Sequence, residues 1–204
     1  MKRLIIIGAG GHGKVVADIA KLTGYEDIVF LDNNTEISEC GGIPVAGPDS
    51  MAADLEGDLF IAVGNADIRK KLMETNRGRS FPVLVHPSAI LAESVCVGEG
   101  TVIMAGAVIN PEARIGRGVI VNTCASVDHD CDVGDYCHVA VGAHLCGTVT
   151  INENTWIGAG AIVSNNIDIC AGCTIGAGAV VLKSLENPGV YVGVPAYRKG
   201  ARLN

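Results

Sequence analysis

One register governs the second half of this chain. From Val85 to Val181 every sixth residue is Val, Leu or Ile, seventeen positions without an exception. The residue two before each of them is small or β-branched, from Ala89 through Ala107, Ala125 and Cys137 to Ala179. A six-residue period matches neither the 3.6-residue helix nor the alternation of a half-exposed strand. It fits a solenoid in which each hexad is a short strand plus a corner, and three hexads close a triangular coil of about 18 residues. The aliphatics then stack in register from coil to coil, about 4.8 Å apart, and the tract builds a prism of about five coils and 25 Å. Glycines after the aliphatic, at Gly98, Gly116, Gly134, Gly158 and Gly176, are expected to make the corners. In this register Cys131, Cys137 and Cys173 point inward as small fillers. With no export signal expected, the eight cysteines read as reduced thiols. Cys170–Ala171–Gly172–Cys173 lacks the second pair of a zinc site and the strand-to-helix setting of a redox motif, so no metal is expected.

The first 80 or so residues follow another rule. Leu4–Ile7 is an apolar run that leads into Gly8–Ala9–Gly10–Gly11–His12–Gly13 and a helically spaced stretch, Lys14–Ala20. A second run, Ile28–Leu31, ends in Asp32–Asn33; a third, Leu59–Val63, ends in Gly64–Asn65 before the helical stretch 66–77. Strand, turn and helix in alternation predict a small parallel, Rossmann-like α/β sheet. The glycines satisfy G-x-G-x-x-G with Asp32 about twenty residues on, where glycine lets a ligand approach the backbone and the helix N-terminus favours phosphate. There is no room for both halves of a dinucleotide fold, so a mononucleotide is expected and NAD is not. The division is expected at 1–82 and 83–204.

Composition narrows the partners. Charged residues make up 18%, the net charge is −7, and no Lys/Arg run occurs, which argues against nucleic acid and against a polybasic membrane anchor. No apolar run reaches the ~18 residues of a membrane span, and Met1–Gly8 is too short for a signal h-region, so a cytoplasmic protein is expected.

The hexads, together with Gly189–Val190–Tyr191–Val192–Gly193–Val194–Pro195–Ala196, resemble the left-handed parallel β-helix of hexapeptide-repeat acyltransferases. Over nearly the whole chain the pattern resembles the NeuD/PglD type of sugar acetyltransferase, PglD most closely. The match rests on Gly10–Gly13, Phe30–Asn33, Ala62–Asn65 with Arg69, and Asn122–Thr123 through His129–Asp130 to His138. The resemblance implies that Gly10, Gly11, His12, Asp32, Asn33 and Gly64 hold a nucleotide-activated amino sugar, and that acetyl-CoA is the co-substrate, contacted by His138. Ala159 and Ala177, separated by one full coil and hence stacked, would let a pantetheine lie along the prism. The close relative has two acidic residues where this chain has Asp32–Asn33, which leaves UDP or GDP open.

Acetyl transfer from a thioester to an amine needs a base on the amine and stabilisation of the developing oxyanion. His129, flanked by Asp128 and Asp130, suits the base, provided a corner lets Asp130 meet it. His138 lies nine residues on, on a different face, so a shared site needs two prisms side by side, as in a homotrimer. The resemblance implies N-acetylation of the 4-amino group of a UDP-linked 4-amino-4,6-dideoxy sugar. The alternatives are N-acetylation of a GDP-linked sugar such as perosamine, O-acetylation of a sialic acid, and a non-catalytic β-helix binding protein. His86 and His144 are assigned no role.

Overall fold

The computed structural model describes residues 2–200. These divide into two compact units, the first ending at Pro87 and the second beginning at Ser88. The first unit is strand β1 (Arg3–Ile7), helix α1 (Gly11–Leu22), strands β2 (Asp27–Leu31), β3 (Glu39–Cys40), β4 (Ile43–Gly47) and β5 (Asp58–Ile61), helix α2 (Ala66–Thr75) and strand β6 (Leu84–Val85). Residues 83–87 fall with this first unit, where β6 packs on α1 and Leu84 is buried.

The sheet order is β3-β4-β2-β1-β5, with β1 parallel to both β2 and β5. Leu4–Ile7 are all buried, as a central parallel strand covered on both faces requires. The chain leaves β1 toward β2 on one side and later returns as β5 on the other. The carboxyl ends of β1, β2 and β5 therefore open a switch-point crevice, the place where parallel sheets take ligands. Gly8, at φ 110°, and Gly13 are needed there for close approach. A Cβ on Gly8 would sit 2.7 Å from the Ala62 carbonyl oxygen, and one on Gly13 would collide with the Gly8 carbonyl.

The second unit is the triangular prism the hexads predict. Its first face stacks Ile90–Leu91, Val108–Ile109, Ser126–Val127, His144–Leu145, Ile162–Val163 and Val180–Val181. The second stacks Cys96–Val97, Arg114–Ile115, Asp132–Val133, Thr150–Ile151 and Asp168–Ile169. The third stacks Val102–Ile103, Ile120–Val121, His138–Val139, Trp156–Ile157 and Thr174–Ile175. These pairings are parallel and join positions exactly one coil apart, such as His138 with Ile120 below and Trp156 above. Val190–Val192 continues the third face against Thr174–Ile175 and turns back through Tyr197–Arg198. Val121, Val127, Val133 and Val139 are fully buried, and Cys131, Cys137 and Cys173 are buried inward thiols, among eight free cysteines.

The corners differ from the expectation. The left-handed residue stands three positions after each aliphatic, from Gly100 to Gly178, and seven of these fourteen corners carry a side chain: Glu112, Cys124, Asp130, Tyr136, Thr148, Asn154 and Asn166. A turn with φ > 0 at its third residue, closed by bonds such as Ala125 N–H to Asn122 O at 3.1 Å, has type II geometry. Gly98, Gly116, Gly134, Gly158 and Gly176 instead precede the left-handed position and serve close stacking. A Cβ on Gly98 would lie 2.5 Å from Arg117 N and 2.6 Å from Gly116 C. Two glycine classes therefore respond differently to alanine. Gly98→Ala should cost about 2–3 kcal/mol through overpacking, whereas Gly142→Ala, at φ 62° with open space around it, should cost about 1 kcal/mol of backbone strain. Chemical denaturation of both variants measures the difference.

Candidate active site

The corner Asp128–His129–Asp130–Cys131 joins the first and second faces of the prism. Asp130 takes the left-handed conformation, φ 58°, and donates its N–H to Pro111 O in the coil below at 3.1 Å. This turn brings together two adjacent side chains that a strand would point apart, and His129 Nδ1 lies 2.7 Å from Asp130 Oδ2. That hydrogen bond, and next the negative charge of Asp128, raise the His129 pKa above its usual value. With Nδ1 committed to a carboxylate, Nε2 is the basic atom. Asp128 has a different task. Its Oδ1 accepts from Asn110 Nδ2 at 2.7 Å and from the His129 N–H at 2.8 Å, bonds that hold its carboxyl below the ordinary range. It is a buttress for the corner, a role the sequence does not announce.

His138 stands on the third face, which in a triangular section is the face opposite the His129 corner. Its Nε2 meets Asn122 Nδ2 at 3.1 Å, Asn122 Oδ1 accepts from the Thr123 N–H at 2.8 Å, and Trp156 lies one coil above with ring centroids 6.4 Å apart. The corner that follows this face carries Ala159 and, one coil above, Ala177; both are exposed, and Ala159 O accepts from the Gly178 N–H at 2.9 Å. Around it Val141, Trp156 and Ile162 are 50%, 41% and 39% exposed. His138, Ala159 and Ala177 thus share one side of the prism, and His129–Asp130 stand on another.

In the first unit, Gly10 caps α1 without a side-chain bond, which leaves first-turn N–H groups at the mouth of the crevice. His12 follows. Its Nε2 is buried without a hydrogen-bond partner, and burial, then the nearby Arg69 guanidinium, lower its pKa to about 4. Arg69 is 1% exposed and donates to Val63 O at 2.8 Å and to Gly64 O at 3.1 Å, while Asn65 caps α2 by accepting from the Ile68 N–H. Asp32 uses both carboxylate oxygens internally, taking the Ala9 N–H at 2.8 Å and the Asn34 N–H at 2.9 Å, so it pins the glycine turn. Asn33 and Asp49 exchange two hydrogen bonds, 2.8 and 3.1 Å, at the edge of a cleft of about 580 Å³ that Ile68, Lys71 and Leu72 also line. Glycine turn, Asp32 and Gly64 therefore converge, with buried Arg69 as the charged residue whose role the spacing alone does not reveal.

Among the described residues no group of three or more His, Cys, Asp or Glu is placed to hold a metal ion, and no helix is long and apolar enough to cross a membrane.

Residues 3–76 match the PglD N-terminal domain family, and residues 148–183 match the bacterial transferase hexapeptide (six repeats) family. The acetyltransferase domain of PglB from Neisseria gonorrhoeae FA1090, with one of two structures in complex with acetyl coenzyme A, is 41% identical with a TM-score of 0.93, covering 97% of this chain and 98–100% of that one. PerB from Caulobacter crescentus, solved with CoA and GDP-perosamine, is 36% identical over 98% of both chains with a TM-score of 0.91. UDP-N-acetylbacillosamine N-acetyltransferase of Bacillus subtilis (strain 168) is 39% identical over 113 residues, and the match spans about half the length of that relative, 52%. With two structural relatives this similar over nearly the whole chain, this protein belongs to the PglD-type hexapeptide-repeat sugar N-acetyltransferases.

Proposed function

We propose that this protein transfers the acetyl group of acetyl-CoA to the 4-amino group of a UDP-linked 4-amino-4,6-dideoxy sugar, with His129 as general base. The observation that carries the reading is the His129–Asp130 pair, 2.7 Å across an exposed corner and more basic than an ordinary histidine. The amine attacks the thioester carbonyl, its proton passes to His129 Nε2, and the C–S bond breaks to release CoA; no covalent enzyme intermediate is required. Asp130 orients the ring and stabilises the imidazolium. The bacillosamine enzyme among the relatives supports UDP, and the PerB complex supports a GDP-linked amino sugar as the competing substrate.

The nucleotide belongs in the crevice of the first unit, where a switch point, an open helix N-terminus and buried Arg69 favour a diphosphate. The acetyl-CoA arm belongs beside His138, Ala159 and Ala177, where outward small residues leave the chain edge open and Trp156, Val141 and Ile162 offer apolar contact. Since the His129 corner lies opposite the His138 face, one prism cannot bring both to a single substrate. A homotrimer, with the His129 corner of one subunit meeting the His138 face of the next, completes the site.

His129→Ala should lower kcat roughly 100-fold or more with little change in acetyl-CoA affinity, measured by steady-state kinetics and calorimetry; wild-type turnover removes His129 from the chemistry. Asp130→Asn lowers the His129 pKa, so the acidic limb of the rate profile should move to lower pH, and kcat should fall less than in His129→Ala. An unmoved limb makes Asp130 a bystander. His12→Ala should weaken binding of UDP in a calorimetric titration, and a panel of UDP- and GDP-linked 4-amino sugars decides the base. Mixing inactive His129→Ala and His138→Ala subunits should restore activity by forming some sites with both histidines. Full activity in a species that sediments as a monomer overturns the trimer.

A further inference from the structure

Gly147 stands one coil above His129, and its bare Cα faces the imidazole. A Cβ there would lie 2.6 Å from both Cε1 and Nε2 of His129 and 3.3 Å from Cδ2. Gly147 is not among the residues with positive φ, so its backbone is one that alanine adopts freely. This separates it from Gly98, Gly116, Gly134 and Gly158, where a Cβ would strike the backbone of the next coil. At Gly147 the obstacle is only the far end of a half-exposed side chain.

We propose that Gly147 is a positioning residue for His129: its missing Cβ leaves the room in which the imidazole lies over the coil above while Nδ1 bonds Asp130. The acidic groups beside the ring are Asp128 and Asp130 of its own corner. The corner above, Cys146–Gly147–Thr148–Val149, carries no charged residue, and the corner below carries Glu112. An alanine at position 147 would swing the ring away, break the bond to Asp130 and leave the coil intact. That the displaced ring is the catalytic base rests on the proposed function; the steric relation does not.

The test is a histidine NMR titration of the free protein, with the His129 signal assigned by its loss in His129→Ala. Gly147→Ala should lower the His129 pKa relative to wild type, and adding Asp130→Asn should lower it no further, since one bond is lost in both. In turnover assays kcat should fall roughly tenfold or more, as expected for a misplaced base. Thermal unfolding supplies the control. In the His129→Ala background the obstacle is gone, so Gly147→Ala should leave stability unchanged. If Gly147→Ala destabilises that background as much as wild type, or if the His129 pKa is the same in a folded Gly147→Ala protein, Gly147 is an ordinary packing glycine and the proposal falls. A wild type without sugar acetylation would overturn the functional reading and leave the titration result standing.

Discussion

The constraint on which the second unit depends is the parallel stacking of each coil on the one beneath it. Backbone bonds such as His138 N–H to Thr155 O at 3.0 Å and Asp128 N–H to Leu145 O at 3.0 Å run up every face and fix the rise of the prism. A fixed rise narrows how the chain can turn. From Gly100 to Gly178 each corner places one residue in the left-handed region whether or not that residue is glycine, and seven side-chain-bearing residues accept the strain, on the order of 1 kcal/mol each. The inter-coil bond donated by each strained residue, Tyr136 N–H to Arg117 O at 2.8 Å for example, helps to offset it.

The candidate chemistry is a by-product of that corner. An acidic residue directly after a histidine would point away from it in a strand; the left-handed turn at Asp130 bends it back to 2.7 Å. Asp128, at the first position of the same turn, is drawn inward to the His129 N–H and to Asn110, so the two acids on either side of His129 divide into a buttress and a partner. Rigid placement comes from coil stacking and from local caps, not from a loop that must order itself when substrate arrives.

The solenoid is legible in the sequence because its signal is purely periodic: one aliphatic every six residues has no competing helical or alternating interpretation. The corner chemistry is less so. Glycines after the aliphatic look like turn residues, yet their cause is the backbone of the next coil, a contact distant in sequence that no local rule expresses. The true corner position is half filled by Glu, Cys, Asp, Tyr, Thr and Asn, which masks it. His129, Asp130 and His138 stand out by resemblance and by the need for a base. Arg69 enters only with the resemblance, since from its spacing a buried arginine looks like any helical surface residue, and Gly147 does not stand out at all: the meaning of a glycine that spares a ring in another coil lies in the empty space above that ring.

Charge in the first unit follows a similar logic of tertiary placement. To take a nucleotide diphosphate, a chain of net charge −7 must gather positive potential locally. His12 does not supply it at neutral pH, because burial and Arg69 together hold its pKa near 4. The positive end of α1 and the Arg69 guanidinium supply it instead, the latter fixed by the Val63 and Gly64 carbonyls just past the end of β5. His12 is then a neutral ring with an unsatisfied Nε2 beside a fixed cation. In the proposed nucleotide site a ring in that state would discriminate by hydrogen bonding and shape, and the unmet hydrogen-bond capacity of its buried nitrogen is free energy that a correctly placed ligand atom would recover.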